Sequence, residues 1–253
     1  MFHFLLRTIP RPILIRFSWL FSKIAPFVLK GNNVECPVCN NTYSKFLPYG
    51  YGGSAKRKNV LCPHCLSLER HRLLWLYLKN KTDFFTKQRS MLHIAPEQYF
   101  YKKFKKQQNL TYLTGDLFSP LADVKFDLHK APFEDNKFDV IFCNHVLEHV
   151  ADDHQCMKEL HRILKPGGFA ILQVPVDFAR ETTYEDANIT SEEDREKHFW
   201  QKDHVRLYGK DYPQKLRNAG FTVKVEGYLK EFTPEQKERY RLPVQEEVYV
   251  AMK

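Results

Sequence analysis

The stretch from Met91 to Pro175 limits what this chain can fold into more than any other part of it. MLHIAP (91–96) is a short apolar run closed by a proline, and the segment from Glu97 through Lys102, Lys103, Lys105 and Lys106 can form a helix. LTYLTGD is a second apolar run that stops on Asp116, and KFDL (125–128) carries a further acid, Asp127. KFDVIFCNH (137–145) reads as the clearest buried strand. The segment after it reads as a loop and a helix ended by Pro166-Gly167-Gly168, with FAILQVP as the next strand. Strand, turn and helix repeated in this order build a parallel sheet that binds ligands beyond the carboxyl ends of its strands. An acid closing the second strand suits a ribose, because two carboxylate oxygens can accept from both vicinal hydroxyls.

The series of an acid, PF, DNKFDVIFCNHVLEHV, DD and MKELHRILKPGGFAILQVP resembles the class I S-adenosylmethionine-dependent methyltransferases of the type 11 branch, over roughly Met91 to Val225. LHIAPE early and DHVRLYG late are similar to a subgroup of that branch whose substrates are unassigned. The resemblance implies a doubly wound, mostly parallel seven-stranded α/β sheet over residues 81–253 and S-adenosyl-L-methionine as cofactor. It puts His93, Ala95, Pro96 and Glu97 near the methionine and ribose, and Asp116 with Leu117 on the ribose. It puts Asp127 with Leu128 at the adenine, and Cys143, Asn144 and His145 beneath the sulfonium. The first motif departs from the family pattern, since His93-Ile94-Ala95-Pro96-Glu97 stands where most members have an acid and a Gly-x-Gly loop. Without glycines the backbone approaches the ligand less closely, so either the cofactor sits differently or Glu97 supplies the missing carboxylate.

Methyl transfer from a sulfonium is an in-line displacement, helped by positioning and by removal of the nucleophile's proton. Histidine can take that proton without special tuning. His145 and His149, four residues apart with Glu148 beside them, are candidates, as is His204, which Asp203 next to it could orient. Arg206 could hold a substrate carboxylate or phosphate. The polar stretch from Asp177 to Gly209 is where these enzymes build a substrate lid. A helix over Tyr208–Ala219 and two closing antiparallel strands, FTVKVEGYL and EEVYVAMK, complete the reading. The late pattern favours a small-molecule or glycan acceptor. A zinc ribbon ahead of such a fold, together with a net charge of +9, makes RNA the alternative, and a non-catalytic zinc-ribbon binding protein is a further one.

Cys36-Pro-Val-Cys39 and Cys62-Pro-His-Cys65 are two knuckles separated by 22 residues. Each aims two thiolates at one point, and together they predict a closed, structural zinc site within a ribbon and linking helix over residues 31–80. The insert YGYGGSAKRKNV suits a hairpin tip. Ser67 is expected to cap the following helix, and Arg70-His71-Arg72 reads as a basic cluster, either solvated, paired with a neighbour or holding phosphate. Residues 1–30 are apolar and aromatic but interrupted by Arg7, Arg11, Arg16 and Lys23, so no spanning helix and no signal peptide is expected. The segment either packs on the protein's own core or lies in an anionic membrane surface. A cytoplasmic location is expected, peripheral to the membrane if this segment lies on one.

Overall fold

The computed structural model describes residues 11–50 and 57–253. They form two compact units, the first comprising residues up to Lys87 together with 97–103 and 227–247. In the first unit, helix α1 (Arg11–Val28) precedes two short antiparallel ribbons. Strand β1 (Lys30–Cys36) pairs with β2 (Asn41–Tyr43), and β3 (Leu47–Tyr49) pairs with β4 (Arg57–Leu61). Residues 1–10 and the hairpin tip lie outside the described residues. On α1 the small Ser22 and Ala25 are buried, whereas Ile13, Phe17, Leu20, Phe21, Ile24, Phe27 and Val28 are all exposed. These seven follow the 3.6-residue period and share one face, which is contrary to packing of that face on the protein's own core. Among the described residues no helix is long and apolar enough to cross a membrane.

Helix α2 (Glu69–Lys81) carries the side chain that ties this unit together. Arg72 is fully buried and donates to the carbonyls of Val60, Ser67, Tyr240 and Arg241 at 2.6–2.9 Å. Its guanidinium also lies 4.6 Å from the Phe46 ring centroid. His71 is buried, stacks on Tyr99 and accepts the Leu68 N–H through Nδ1. Two of the three residues of the Arg70-His71-Arg72 cluster are therefore internal and paired with neighbours. The helix starts at Glu69 with no side-chain cap, because the Ser67 hydroxyl sits between the sulfurs of Cys36 and Cys65 instead. Helix α3 (Gln98–Phe104) follows the expected position after the first apolar run.

The second unit is built on a seven-stranded sheet. Its strands are β5 (Arg89–Ile94), β6 (Leu110–Asp116), β7 (Val124–Lys125), β8 (Phe138–Cys143) and β9 (Leu164–Ile171), closed by Thr222–Glu226 and Val248–Met252. Within the inserted segment, β10 (Tyr184–Glu185) pairs with β11 (Arg206–Leu207), so Thr222–Glu226 is β12 and Val248–Met252 is β13. The order is β12-β13-β9-β8-β5-β6-β7, with the five from β9 to β7 parallel and β13 antiparallel to both its neighbours. The doubly wound, mostly parallel seven-stranded sheet expected from the sequence is therefore present. Helix α4 (Asp153–Ile163) lays Cys156, Met157, Leu160 and Ile163 on the sheet, and all four are fully buried.

Two boundaries differ from the sequence reading. Helix α4 ends before Pro166, and the Pro-Gly-Gly stretch is taken into β9, where Gly167 has φ +74° and donates to Lys253 O. Helix α5 (Glu192–Phe199) lies within the insert, and α6 (Tyr212–Asn218) starts four residues late because Tyr208 bridges to Val176. Gly209 beside it would bring a Cβ within 2.6 Å of the Thr182 carbonyl carbon, so no larger residue fits there. Replacing Arg72 with Met, which keeps the apolar stem but leaves four buried carbonyls without their donor, should cost roughly 3 kcal/mol or more. Thermal unfolding would show this as a fall of several degrees in the first unit's transition; an unchanged midpoint would contradict the assignment.

Candidate cofactor and active site

The register of three parallel strands brings the candidate site together. Ile94 pairs with Gly115 on one side and with Cys143 on the other. The next residues, Asp116, Ala95 and Asn144, therefore stand in a row at the carboxyl ends of β6, β5 and β8. The chain turns sharply at two of these ends: Ala95 has φ +49° and His145 has φ +55°. A left-handed conformation costs a non-glycine residue roughly 1–2 kcal/mol and is found where a site over-determines it. The two turns are held by Ala95 N–H to Gly115 O at 2.9 Å and His145 N–H to Gln173 O at 2.7 Å. Ala95 thus occupies the backbone conformation that a glycine would otherwise supply.

Asp116 is half-buried, and its Oδ1 accepts from the N–H groups of Phe118 and Ser119 at 2.6 and 2.5 Å. These bonds fix the carboxylate at the head of a loop that exposes Leu117 and Phe118. Asp127 is exposed and caps a short turn, accepting from the backbone N–H and the ring of His129, which hold it below the usual carboxylate range. Leu128 and Cys143 are buried in the core of this unit, as is Pro96 in the turn after Ala95. Asn144 is buried and accepts weakly from Gln173 N–H at 3.4 Å. His93 is fully buried, hydrogen-bonded to the Tyr112 hydroxyl and surrounded by Phe104 and Phe142. Its side chain thus belongs to an aromatic cluster under the sheet. Glu97 belongs to the first unit, where its carbonyl accepts from Tyr101 N–H at the start of α3.

Beyond β8, His145 donates from Nδ1 to Glu148 Oε1 at 3.2 Å. Glu148 is buried; burial pushes its carboxyl up, but the His145 bond and the nearby charges of His145 and His149 prevail, and it lies below the ordinary glutamate value. His149 donates from Nδ1 to the Asp203 carbonyl at 3.1 Å, and His204 donates from Nδ1 to the Phe199 carbonyl at 2.9 Å. Asp203 therefore faces His149, its Oδ2 lying 3.6 Å from Nδ1, and it is Phe199 that orients His204. Burial keeps the His204 imidazole below its usual value and hence neutral near pH 7. Arg206 is buried, and its guanidinium donates to Leu147, Val150 and Ala151 carbonyls. It clamps the loop after β8, and its Nε lies 3.2 Å from the Glu185 carboxylate, so the chain's own groups surround the cation expected to hold a substrate anion. Tyr208, which donates to Leu147 O and Asp153, and Gln173, which joins β9 to β13 through Tyr249 N–H, are supports that no motif marked.

In the first unit, Cys36, Cys39, Cys62 and Cys65 converge, with ligand atoms all within 4.8 Å of one another and no disulfide among them. Two of the separations are 3.5 and 3.8 Å, close to the roughly 3.8 Å edge of a tetrahedron with metal–sulfur bonds of about 2.3 Å. Hydrogen bonding from Cys36 and its neighbours pulls the Cys39 thiol down, while burial pushes Cys62 up.

Residues 86–172, about a third of the chain, match the family described as Methyltransferase domain. The 2-phytyl-1,4-naphtoquinone methyltransferase of Nostoc punctiforme is 40% identical over 60 residues, which is 24% of this chain and 25% of that protein. Cycloartenol-C-24-methyltransferase of Arabidopsis thaliana is 43% identical over 44 residues, 17% of this chain and 13% of that one. The chain therefore spans a quarter or less of the length of these relatives. Among solved structures, Burkholderia thailandensis 1,6-didemethyltoxoflavin-N1-methyltransferase is 15% identical and has a TM-score of 0.48, covering 72% of this chain and 76% of that chain. That crystal holds 1,6-didemethyltoxoflavin and S-adenosylhomocysteine. The strand order gives the second unit the class I methyltransferase fold, and residues 86–172 resemble a methyltransferase domain.

The strain at Ala95 is testable without any ligand. Ala95→Gly should raise the stability of the second unit by about 1 kcal/mol in urea unfolding. A loss of stability of that size would show that the left-handed turn is not a cost to the chain.

Proposed function

We propose that this chain is an S-adenosylmethionine-dependent methyltransferase that acts on a small-molecule acceptor and carries a structural zinc ion on its four knuckle cysteines. The observation that carries this reading is the row Asp116, Ala95, Asn144 at the carboxyl ends of adjacent parallel strands, with two left-handed turns leaving from it. The residues fit the cofactor. Asp116, its rotamer set by two backbone donors, would accept from the ribose hydroxyls. The turn at Ala95 and Pro96 would border the methionine end, Asn144 and Cys143 the sulfonium, and Leu117, Asp127 and Leu128 the adenine side. When bound, the cofactor supplies an electrophilic methyl on a sulfonium.

His145 is the proton acceptor in this reading. Its Nδ1–H is held by Glu148, leaving Nε2 as the basic nitrogen, and that atom is buried with no partner. A buried carboxylate behind the ring also stabilises the imidazolium formed when the acceptor's hydroxyl or amine gives up its proton. The relatives favour a small-molecule acceptor over RNA, since their names specify sterol and quinone methylation. The cysteine spacing and the near-tetrahedral sulfur separations support zinc.

Calorimetric titration with S-adenosylhomocysteine tests the cofactor site. The chain should bind it, and Asp116→Ala should weaken binding by about 10- to 100-fold, the worth of hydrogen bonds to a charged group. No heat at millimolar ligand, or equal affinity of the variant, would overturn the reading. For the ribbon, mercurial titration of the native thiols with a zinc-sensitive dye should release one zinc per chain, and Cys39→Ser should release markedly less. Four freely titrating thiols with no metal would refute the zinc site.

A further inference from the structure

Next to the proposed methyl-transfer site, Glu148, His149 and His204 present one ligand atom each, and these atoms all lie within 4.8 Å of one another. What each residue does with its other polar atom is informative. The Glu148 Oε1 is taken by His145, while Oε2 is buried without a partner. His204 spends its Nδ1–H on the Phe199 carbonyl, so Nε2 carries the lone pair, and that nitrogen too is buried without a partner. His149 spends its Nδ1–H on the Asp203 carbonyl, again leaving Nε2 as the lone-pair atom. Each ring is thus fixed, by a backbone acceptor on its far nitrogen, in the tautomer that metal-bound histidines adopt. Leaving two polar atoms buried and unpaired is costly, and a cation between them would remove that cost.

From this arrangement we infer that Glu148, His149 and His204 form a binding site for a divalent first-row transition-metal ion, distinct from the four-cysteine cluster. Two imidazoles and one carboxylate suit such ions and leave coordination positions open for water or an oxygen ligand. The His149 side chain is 33% exposed, so the site has an outlet to solvent. The two chain segments that build it are tied beforehand. Val205 N–H donates to Glu148 O at 2.9 Å, and Arg206 holds the carbonyls of Leu147, Val150 and Ala151. The rings of His149 and His204 stand edge to face with centroids 4.7 Å apart. The inference does not depend on methyl transfer, since it follows from the donor atoms alone.

The full chain, its cysteine cluster first loaded with zinc, would be titrated with Co2+ and followed by visible absorption and proton NMR. The expected result is one Co2+ bound per chain, with d–d bands lacking sulfur charge-transfer intensity. Two strongly shifted exchangeable signals should accompany it, from the Nδ1–H groups of His149 and His204. His149→Ala, at a partly exposed position, should remove one shifted signal and weaken binding at least tenfold. Glu148→Gln should weaken binding by a similar factor, with the thermal midpoint of each variant confirming that it folds. Absence of Co2+ spectral change at excess metal would overturn the site, as would a folded His149→Ala that binds like the original chain.

Discussion

The pairing of β5 with β6 and β8 is the constraint on which the candidate site depends. Met91, Leu92, Val140, Ile141, Phe142 and Cys143 are fully buried, as expected for parallel strands covered on both faces. A slip of one residue in either pairing would turn these side chains to the opposite face, and it would also break up the row of Asp116, Ala95 and Asn144. The core therefore sets the site's geometry. It also maintains the left-handed turns at Ala95 and His145, each of which would relax if the strand ends were not held by Gly115 and Gln173.

A second layer of support comes from the segment that returns after the insert. Arg206 enters the loop between β8 and α4 and satisfies three of its carbonyls, while Lys215 pairs with Asp153 at 3.2 Å and Glu185 at 3.0 Å nearby. A guanidinium buried in this way is stabilised only while every partner is in place. The positions of Glu148, His149 and His204 thus depend on the contacts that Arg206 makes with the backbone of this loop. Proton acceptance by His145 and metal coordination by the three neighbouring side chains are compatible, because they use different oxygens of Glu148.

Much of this architecture is legible in the sequence, and the parts that are not share a cause. The strands of the second unit stand out as apolar runs because both of their faces are covered, and Asp116 can be placed because it ends one of them. His93 shows the limit of that reasoning: period-2 alternation says that its side chain leaves one face of β5 but not which face, and it turns into an aromatic cluster. The carbonyl partners of Arg72 and Arg206 leave no pattern in the sequence, so Arg206 reads there as an anion holder and Arg72 as one of a basic cluster; the Arg72–Tyr240 bond spans 168 residues. Ser67 has the spacing of a helix cap, yet it is drawn to two cysteine sulfurs. The sequence reading runs the closing strands through Leu229 and from Glu246, whereas residues 227–247 belong to the first unit.

The most direct test is a crystal structure of the full chain grown with S-adenosylhomocysteine. The account predicts the adenosine beyond the ends of β5, β6 and β8, with the ribose hydroxyls on Asp116 and the thioether beside Asn144. Ligand density elsewhere in the molecule, or an Asp116 carboxylate turned away from a bound ribose, would contradict it.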